Sequence, residues 1–305
     1  MDDSRGTHHA AEDPRNAGVL VYVNGRIVPR HEARVSVFDS GFILGDGVWE
    51  GLRLHNGRVA FLDQHMKRLF QGAKALDLEI GLTACELAGE IERTVAANRM
   101  TSGVHIRLMV TRGEKSTPYQ DPRVNVGGST IVIIPEFKEA AERQAGVRLF
   151  TVHVRRGAPD VQDPMLNSHS KLNCILACLQ ATKAGADEAL MLDPHGFVAT
   201  CNSTHFFVVR DGEVWTSTGR YCLHGITRAN VLKLCGENGI VARAKDFSLA
   251  EVYDADESFI TGTFAGLTPV ASVDGRTIAA TVPGPVTARL RDLYADLIEN
   301  ECPAA

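Results

Sequence analysis

The sequence lacks any long hydrophobic run and any excess of positive charge. No segment approaches the ~18 uninterrupted apolar residues of a membrane span. The 305 residues carry a formal net charge of -5, with a pI near 6.1, and the lysines and arginines are scattered rather than clustered. Nucleic acid is not expected as a partner, because its binding needs a basic field. A membrane is not expected either, because no long apolar run is present.

A disulfide framework and a complete metal site are also missing. The seven cysteines are odd in number and have no framework spacing, which favours reduced thiols and predicts a cytoplasmic protein. Cys174 and Cys178 lie one helical turn apart, so they could share a metal ion. No further His or Cys completes the set, however, and core packing without metal is the better interpretation.

The composition is ordinary for a soluble globular protein. Hydrophobic residues make up 44% and charged residues 23% of a chain long enough for two domains. Residues 1–18 contain no apolar segment and are predicted to be a disordered tail. Residues 19–137 are predicted to form a small N-terminal α/β domain, 138–146 a polar linker, and 147–305 a larger C-terminal domain.

Local patterns predict several elements of the first domain. Asn24-Gly25 between two apolar runs indicates a β-hairpin, and a strand is expected around 35–38. Apolar residues at helical spacing predict helices at 62–76 and 83–97, followed by a strand at 104–111.

The central segment 163–209 predicts a helix followed by two buried strands. Apolar residues are so dense in 175–181 that most of the helix is expected to face other protein. Lys171 stands at the entrance of this helix and Lys183 at its far end. Taken alone, a lysine in a first helical turn is usually solvated.

Seven segments, in order, carry a family resemblance. They read VNGRIVP, FDSGFILGDGVWEGLRLHNG, DQHMKRLFQGAKAL, DPMLNS, GFVATCNSTHFFVV, LHGITRANVL and FITGTFAGLTPV. They resemble the fold-type IV pyridoxal-phosphate enzymes, which include branched-chain and D-amino acid aminotransferases. The resemblance implies a small N-terminal domain, a larger barrel-like C-terminal domain, a homodimer and pyridoxal 5'-phosphate as cofactor.

The resemblance also implies a phosphate-binding group of residues. Arg68, in the pattern H-x-x-R-L, corresponds to an arginine that reaches the cofactor phosphate. Ile226 and Thr227 stand at a predicted helix N-terminus, which suits an anion, and Thr263 corresponds to a further contact. The alternatives are a surface arginine at Arg68 and a simple N-cap at Thr227.

Two family positions are changed. The Schiff-base lysine of the family corresponds to Asn167, and the glutamate that pairs with the pyridine nitrogen corresponds to Thr200. Lys171 lies one helical turn after Asn167, roughly 6 Å along the axis, and is the candidate catalytic and cofactor-binding lysine. Lys183 is too distant. Thr200 offers a hydroxyl that donates only to an unprotonated ring nitrogen.

The resemblance further places Phe42, Leu44, Arg107, Asn167 and His205 in the substrate pocket. Phe42 and Leu44 are apolar, which favours a small, rather apolar substrate. A sheet-edge role for Arg107 and a structural role for His205 are the competing interpretations.

The expected function is transamination between a small apolar amino acid or amine and a 2-oxo acid. The alternative is a divergent member without covalent cofactor attachment, acting as a lyase, as a PLP-independent enzyme or as a phosphorylated-ligand binding protein. In that case Cys201, His205 and His169 are the candidates for acid, base or nucleophile.

Overall fold

A computed structural model of the chain describes residues 6–7, 11–140 and 143–304. The chain divides into two compact units. The N-terminal unit comprises 10–139 together with 166–171 and 298–305, and the C-terminal unit comprises 1–9, 140–165 and 172–297. The short segment 166–171, which contains Asn167 and Lys171, therefore belongs with the N-terminal unit although the sequence division assigned it to the second domain.

The N-terminal unit is built on an antiparallel sheet. Its strands are β1 (Leu20–Val23), β2 (Arg26–Pro29), β3 (Gly47–His55), β4 (Arg58–Val59), β5 (Val104–Thr111) and β6 (Thr130–Phe137), and its helices are α1 (Ser40–Leu44), α2 (Leu62–Ala75) and α3 (Ala84–Ala97), with a 3-10 turn at Pro122–Val124. Within the described residues the strand order is β2-β1-β6-β5-β3-β4.

Local sequence signals explain most of these elements. Asn24 and Gly25 have φ angles of 47° and 86°, as a two-residue hairpin turn requires, so the predicted hairpin is confirmed. Thr83 and Glu86 form a capping box that starts α3, which confirms that helix. The predicted strand at 35–38 is wrong: this segment is an exposed loop, because its apolar side chains find no covering layer.

Alternation along β3 gives the sheet two different faces. Val48 and Leu52 are buried in the core with Leu69 of α2 and Ile91 of α3. Because successive side chains of a strand point to opposite faces, Glu50 shares the helix-covered face and Trp49 lies on the other one. β3 therefore carries Glu50 on its helix-covered face and Trp49 on the opposite face.

Segment 166–171 pairs with β3. The Trp49 backbone N–H donates to Asn167 O over 3.0 Å, and the His169 N–H donates to Gly47 O over 3.0 Å. An antiparallel bridge joins Val48 and Ser168. Backbone hydrogen bonds thus hold residues 167–169 in register with β3.

The C-terminal unit contains a mixed sheet. Its strands are β7 (Val147–Thr151), β8 (Glu188–Leu192), β9 (Val198–Cys201), β10 (His205–Arg210), β11 (Glu213–Thr216), β12 (Ala242–Ala244), β13 (Glu257–Gly262), β14 (Gly266–Val273) and β15 (Arg276–Thr277), and its helices are α4 (Pro159–Gln162), α5 (Leu172–Lys183), α6 (Ile226–Glu237), α7 (Leu249–Tyr253) and α8 (Pro285–Glu301), of which the last four residues after 297 belong to the N-terminal unit. In the part of the chain that the structure describes, the order is β12-β11-β10-β13-β14-β7-β8-β9, with β15 beside β14.

A buried carboxylate fixes the start of α8. Glu257 is buried and accepts hydrogen bonds from the backbone N–H groups of Val286 and Thr287 over 2.9 and 2.8 Å. A carboxylate at a helix N-terminus satisfies unpaired N–H groups and complements the helix dipole. Glu257 is therefore a stabilising residue of this unit.

Helix α5 departs from the expected burial. Only Ala177 and Ala181 are buried, against Val152, Ala189 and Met191 of the sheet side. Four larger apolar side chains at helical spacing are exposed, with exposed fractions of 45% to 67%; they are Leu172, Ile175, Leu176 and Leu179. The prediction that protein covers most of this helix is therefore not met by the described residues of the chain.

The predicted disordered tail is wrong for its last residues. Pro14–Gly18 form a 3-10 helix that Asp13 caps through the Arg15 N–H. Asn16 explains the order, because its side chain exchanges two hydrogen bonds, of 2.9 and 2.8 Å, with the backbone of Phe137. Residues 1–5 and 8–10 of the predicted tail lie outside the described residues. Among the helices described, none is both long and apolar enough to cross a bilayer.

Candidate functional site

Lys171 turns back along the chain toward Asn167. Its Nζ donates a hydrogen bond to Asn167 Oδ1 over 3.1 Å. Asn167 is buried, and its Nδ2 donates to the backbone oxygen of Trp49 over 2.6 Å. The amide is therefore fixed by β3 and presents its oxygen to the lysine immediately before α5.

Two cations meet the indole ring of Trp49. Arg107 Cζ lies 3.8 Å from the ring centre and Lys171 Nζ lies 5.3 Å from it, both within the range of a cation–π interaction. Trp49 Nε1 donates to Ser168 O over 3.0 Å, which fixes the ring. The structure thus brings the predicted residues Lys171, Asn167 and Arg107 together around Trp49.

Trp49 is a site residue that sequence reasoning missed. The signal was available, since the alternation of β3 places Val48 in the core and Trp49 on the other face. Arg107 is half-buried on the neighbouring strand, where burial lowers its pKa despite the opposing charge of Glu136. The arrangement replaces the sheet-edge interpretation of Arg107 with a stacked, partly desolvated cation.

His169 serves the backbone pairing. Its Nε2 lies 3.1 Å from Val48 O, so that nitrogen carries the hydrogen and donates. Burial lowers the pKa of His169, although the bond to Val48 opposes this shift. The ring is therefore a neutral donor within the β3 pairing.

Arg68 is held from the helix-covered face of the sheet. Its Nε donates to Glu50 Oε1 over 2.8 Å and its Nη2 donates to Glu50 Oε2 over 2.5 Å. His65, one turn earlier on α2, lies with Nδ1 2.7 Å from Glu50 Oε2. The surface-arginine alternative is therefore wrong, because the guanidinium is part of a largely buried network.

The start of α6 offers backbone donors. Its N-cap is Gly225, and no side chain among the described residues caps it. Ile226 and Thr227 form the first turn and are buried, so the alternative that Thr227 is the N-cap is wrong by two positions. The Tyr294 hydroxyl donates to Thr227 Oγ1 over 3.3 Å, and burial raises the pKa of Tyr294 to about 12. An uncapped helix start of this kind suits an anion.

His205 contacts the loop that precedes α6. It opens β10, and its Nε2 lies 2.5 Å from Leu223 O, so it donates to that carbonyl. The ring packs so tightly against Gly225 that a Cβ there would overlap it. This favours the structural interpretation of His205, as a support for the helix start.

Thr263 lies in the turn between β13 and β14 and is half-buried. The strand that precedes it, β13, is adjacent to β10, because His205 pairs with Thr261. The sequence-predicted residues of the C-terminal unit thus cluster on neighbouring elements.

Thr200 is hydrogen-bonded to the turn that follows its own strand, β9. Its hydroxyl donates to Thr204 O over 2.8 Å, and its side chain is buried. This hydrogen bond uses the proton that a cofactor ring nitrogen would accept. Cys201, next along the strand, is buried, and burial raises the pKa of its thiol well above the usual value. It is therefore a poor nucleophile.

Phe42 and Leu44 are exposed on α1, with 70% and 41% of their surfaces accessible. Gly45 ends α1 with a φ of 69°, and its carbonyl accepts a hydrogen bond from Ser170 Oγ over 3.2 Å. This contact joins the end of α1 to the residue before Lys171. Within the described residues no cluster of three or more His, Cys, Asp or Glu could hold a metal ion, and Cys174 and Cys178 are free thiols.

Comparisons with known proteins agree with this architecture. A family model described as amino-transferase class IV matches residues 47–273. Branched-chain-amino-acid aminotransferase-like protein 2 of Arabidopsis thaliana is 41% identical over 288 residues, which cover 94% of this chain and 52% of that protein. This chain thus spans about half the length of that relative. A putative branched-chain-amino-acid aminotransferase of Methanocaldococcus jannaschii is 40% identical over 278 residues, covering 91% of this chain and 96% of the relative.

A solved structure is similar over nearly the whole chain. The branched-chain aminotransferase from the thermophilic archaeon Thermoproteus uzoniensis, crystallised with norvaline, superimposes with a TM-score of 0.84 and 32% identity, covering 93% of this chain and 95% of that one. The predicted fold-type IV architecture is therefore confirmed.

Proposed function

We propose that this chain, which belongs to the class IV aminotransferases, catalyses pyridoxal-phosphate-dependent transfer of an amino group between a small apolar amino donor and a 2-oxo acid. The observation that carries the proposal is the hydrogen bond of Lys171 Nζ to Asn167 Oδ1. The amine of Lys171 reaches the side chain of the position that the family resemblance gives to its lysine. The expected helical turn between residues 167 and 171 is not formed, because this segment pairs with β3. The hydrogen bond supports the proposal that the displacement of four residues in sequence is compensated in space.

Each unit, taken by itself, contains described residues that suit a phosphate-bearing cofactor. The uncapped start of α6, with Ile226 and Thr227, supplies backbone donors and the positive end of a helix dipole. Arg68, held by Glu50, supplies a cation, and Thr263 supplies a hydroxyl. When bound, pyridoxal phosphate would supply an aldehyde for the amino group and a conjugated ring that withdraws electrons from the substrate Cα.

Lys171 has two tasks in this proposal. Its Nζ would hold the cofactor, and the same amine, once free, would accept a proton from the substrate Cα as a general base. Asn167 Oδ1 accepts from Nζ and keeps the amine beside Trp49. The Asn167 amide thus holds the free Lys171 amine in one position.

Arg107 and the α1 side chains are assigned to substrate. The guanidinium of Arg107, stacked on Trp49, is a fixed partner for a carboxylate of an amino acid or 2-oxo acid. Phe42 and Leu44 provide apolar surface and no hydrogen bonds, which supports a small apolar donor rather than a dicarboxylate.

Thr200 favours a second candidate reaction. Its hydroxyl proton goes to Thr204 O, and no carboxylate stands at this position to keep a ring nitrogen protonated. A ring that withdraws electrons more weakly supports transamination less well than an elimination, in which the leaving group takes part of the charge. A lyase activity on the same site is therefore the alternative function. For Thr200 itself to contact the cofactor, the Thr204 hydrogen bond must be exchanged.

We assign the exposed apolar stripe of α5 to a homodimer interface. Leu172, Ile175, Leu176 and Leu179 would be covered by a second copy, since an exposed apolar stripe of this kind marks an association surface. The seven free thiols support a reducing, cytoplasmic compartment.

The experiment is a donor and acceptor panel with matched lysine variants. Small apolar amino acids and amines are offered with pyruvate and 2-oxoglutarate to the wild type, to Lys171→Ala and to Lys183→Ala, whose lysine is exposed at the other end of α5. Turnover that is lost in Lys171→Ala and kept in Lys183→Ala supports the proposal. No turnover with any donor, despite bound cofactor, would turn the assignment to the lyase alternative.

A further inference from the structure

We propose that Glu50 is a positioning residue that sets the orientation of the Arg68 guanidinium toward a phosphate monoester. This inference rests on the proposed function, since it is the phosphate role of Arg68 that gives the orientation its purpose. Neither Glu50 nor His65 was singled out as part of the site from the sequence.

The geometry of the pair is that of a fork. Two nitrogens of Arg68 donate to two oxygens of Glu50, over 2.8 Å to Oε1 and 2.5 Å to Oε2. A two-point contact between planar groups fixes both the place and the plane of the guanidinium, which a single contact does not. The carboxylate is itself immobile, because its side chain is fully buried on β3.

His65 completes the support of Glu50 as a neutral donor. Burial lowers the pKa of His65 and outweighs the opposing hydrogen bond to Glu50. Its Nε2 has no hydrogen-bond partner in the described part of the chain, so a proton there would be a buried, unsatisfied donor. His65 therefore donates from Nδ1 to Glu50 Oε2 without adding charge.

The network is electrically balanced. Burial raises the pKa of Glu50, but the hydrogen bonds from Arg68 and then His65 outweigh it and leave the pKa below its usual value. An ionised Glu50 cancels part of the attraction between Arg68 and an anion. Glu50 restricts the conformational freedom of the Arg68 guanidinium before the ligand binds, and such preorganisation favours binding.

The position of Glu50 in β3 connects it to the other cluster. Glu50 follows Trp49, which lies on the opposite face of the strand against Lys171 and Arg107. A two-residue segment of one strand therefore holds the Arg68 guanidinium on one face and the Lys171 amine and Arg107 guanidinium on the other. Substitution of either residue should disturb a different part of the ligand.

The test compares ligands with and without the phosphate. Equilibrium affinities of the full-length protein are measured for pyridoxal phosphate, for pyridoxal and for inorganic phosphate. For Glu50→Gln, which keeps the shape and removes the charge, we expect affinity for pyridoxal phosphate and for inorganic phosphate to fall about tenfold, the loss of roughly one charge-assisted hydrogen bond. Affinity for pyridoxal should stay within about twofold.

A control separates positioning from general destabilisation. Glu257→Gln changes another buried carboxylate, at the start of α8, and should lower thermal stability without changing the ratio of the affinities for pyridoxal phosphate and pyridoxal. An equal loss for both ligands in Glu50→Gln, or a loss for neither, would overturn the inference. If Glu50→Gln does not fold, His65→Gln decides: a smaller loss confined to the phosphate-bearing ligands supports the inference, and no loss overturns it.

A double-mutant cycle distinguishes this inference from the proposed function. If Glu50 acts through Arg68, Glu50→Gln changes the ratio of the two affinities in the wild type but not in Arg68→Ala. If Arg68→Ala leaves the ratio of the affinities for pyridoxal phosphate and pyridoxal unchanged, Arg68 does not bind the phosphate. A ratio that falls in Arg68→Ala but not in Glu50→Gln would refute the positioning role of Glu50 and leave the proposed function standing.

Discussion

Lys171 Nζ and Asn167 Oδ1 are joined by a 3.1 Å hydrogen bond that spans four residues of the chain. Asn167 cannot move to follow the lysine, because its own amide nitrogen donates to Trp49 O over 2.6 Å. The position of the amine is thus set by a buried asparagine that is hydrogen-bonded to β3. Asn167 and Lys171 therefore form one hydrogen-bonded arrangement that is anchored on β3.

Removing the acceptor should impair the lysine without removing it. For Asn167→Ala we expect turnover to fall by about tenfold, because the amine loses a hydrogen bond of roughly 1 kcal/mol and its fixed position. For Asn167→Asp we expect the rising limb of the pH–rate profile to move to higher pH, since a negative neighbour stabilises the ammonium form. Steady-state kinetics from about pH 6 to about pH 10 would check both, and profiles identical to the wild type would contradict the positioning role of Asn167.

Replacing the Trp49 ring should weaken the binding of carboxylate substrates. Trp49→Leu removes a surface shared by Arg107 and Lys171, each contact being worth roughly 0.5–2 kcal/mol. We expect KM for the 2-oxo acid to rise by about tenfold and Trp49→Phe to show a smaller rise. The matched control is Trp215→Phe, because Trp215 also contacts two cations, Lys245 and Arg210, in the C-terminal unit. Equal effects of Trp49→Phe and Trp215→Phe would count against a role for Trp49 in substrate binding.

A charge on the exposed stripe of α5 should dissociate the proposed dimer. Leu176→Asp places a carboxylate within the apolar stripe. If a second copy covers the stripe, burial of this carboxylate costs several kcal/mol. Sedimentation at micromolar concentration should show a dimer for the wild type and a monomer for this variant. Thr182→Asp, on an exposed position of the same helix, should stay dimeric. A monomeric wild type would be the contrary result.

Stability should decrease on mild acidification. Burial lowers the pKa of His55, His65 and His169, so the unfolded chain binds protons below about pH 6.5 that the folded chain does not. The free energy of unfolding is therefore highest above that pH and falls as the pH decreases toward the folded-state pKa values. Urea unfolding at about pH 7.5 and about pH 5.5 should show a smaller decrease for His65→Gln than for the wild type. An unchanged decrease would mean that His65 is protonated in the folded protein.

Local sequence signals predicted the elements whose structure is decided locally. Asn24-Gly25 selected a hairpin turn, and Thr83 with Glu86 selected a helix start, because both act through backbone groups within a few residues. The phosphate-binding assignments depended on motifs, and the structure gives Arg68 and the start of α6 suitable surroundings. The division into two continuous domains did not anticipate that 166–171 pairs with β3.

The remaining features depend on distant contacts. Nothing near Glu50 in sequence shows that it meets Arg68 eighteen residues later, since that requires β3 and α2 to pack. The direction in which the Lys171 side chain runs could be hypothesised from the spacing but not fixed, because it depends on the pairing of Asn167 with Trp49. The order of Pro14–Gly18 likewise depends on Phe137, far along the chain.

The identity of the attached lysine is the most direct test of the account. The purified protein is incubated with pyridoxal phosphate, its absorption spectrum is recorded, and borohydride is added before digestion and mass spectrometry. We predict a yellow protein with the reduced cofactor on the peptide that contains Lys171, an adduct lost in Lys171→Ala and kept in Lys183→Ala. A colourless protein that binds phosphate through Arg68, Thr227 and Thr263 without any adduct, or an adduct on a different lysine, would contradict it.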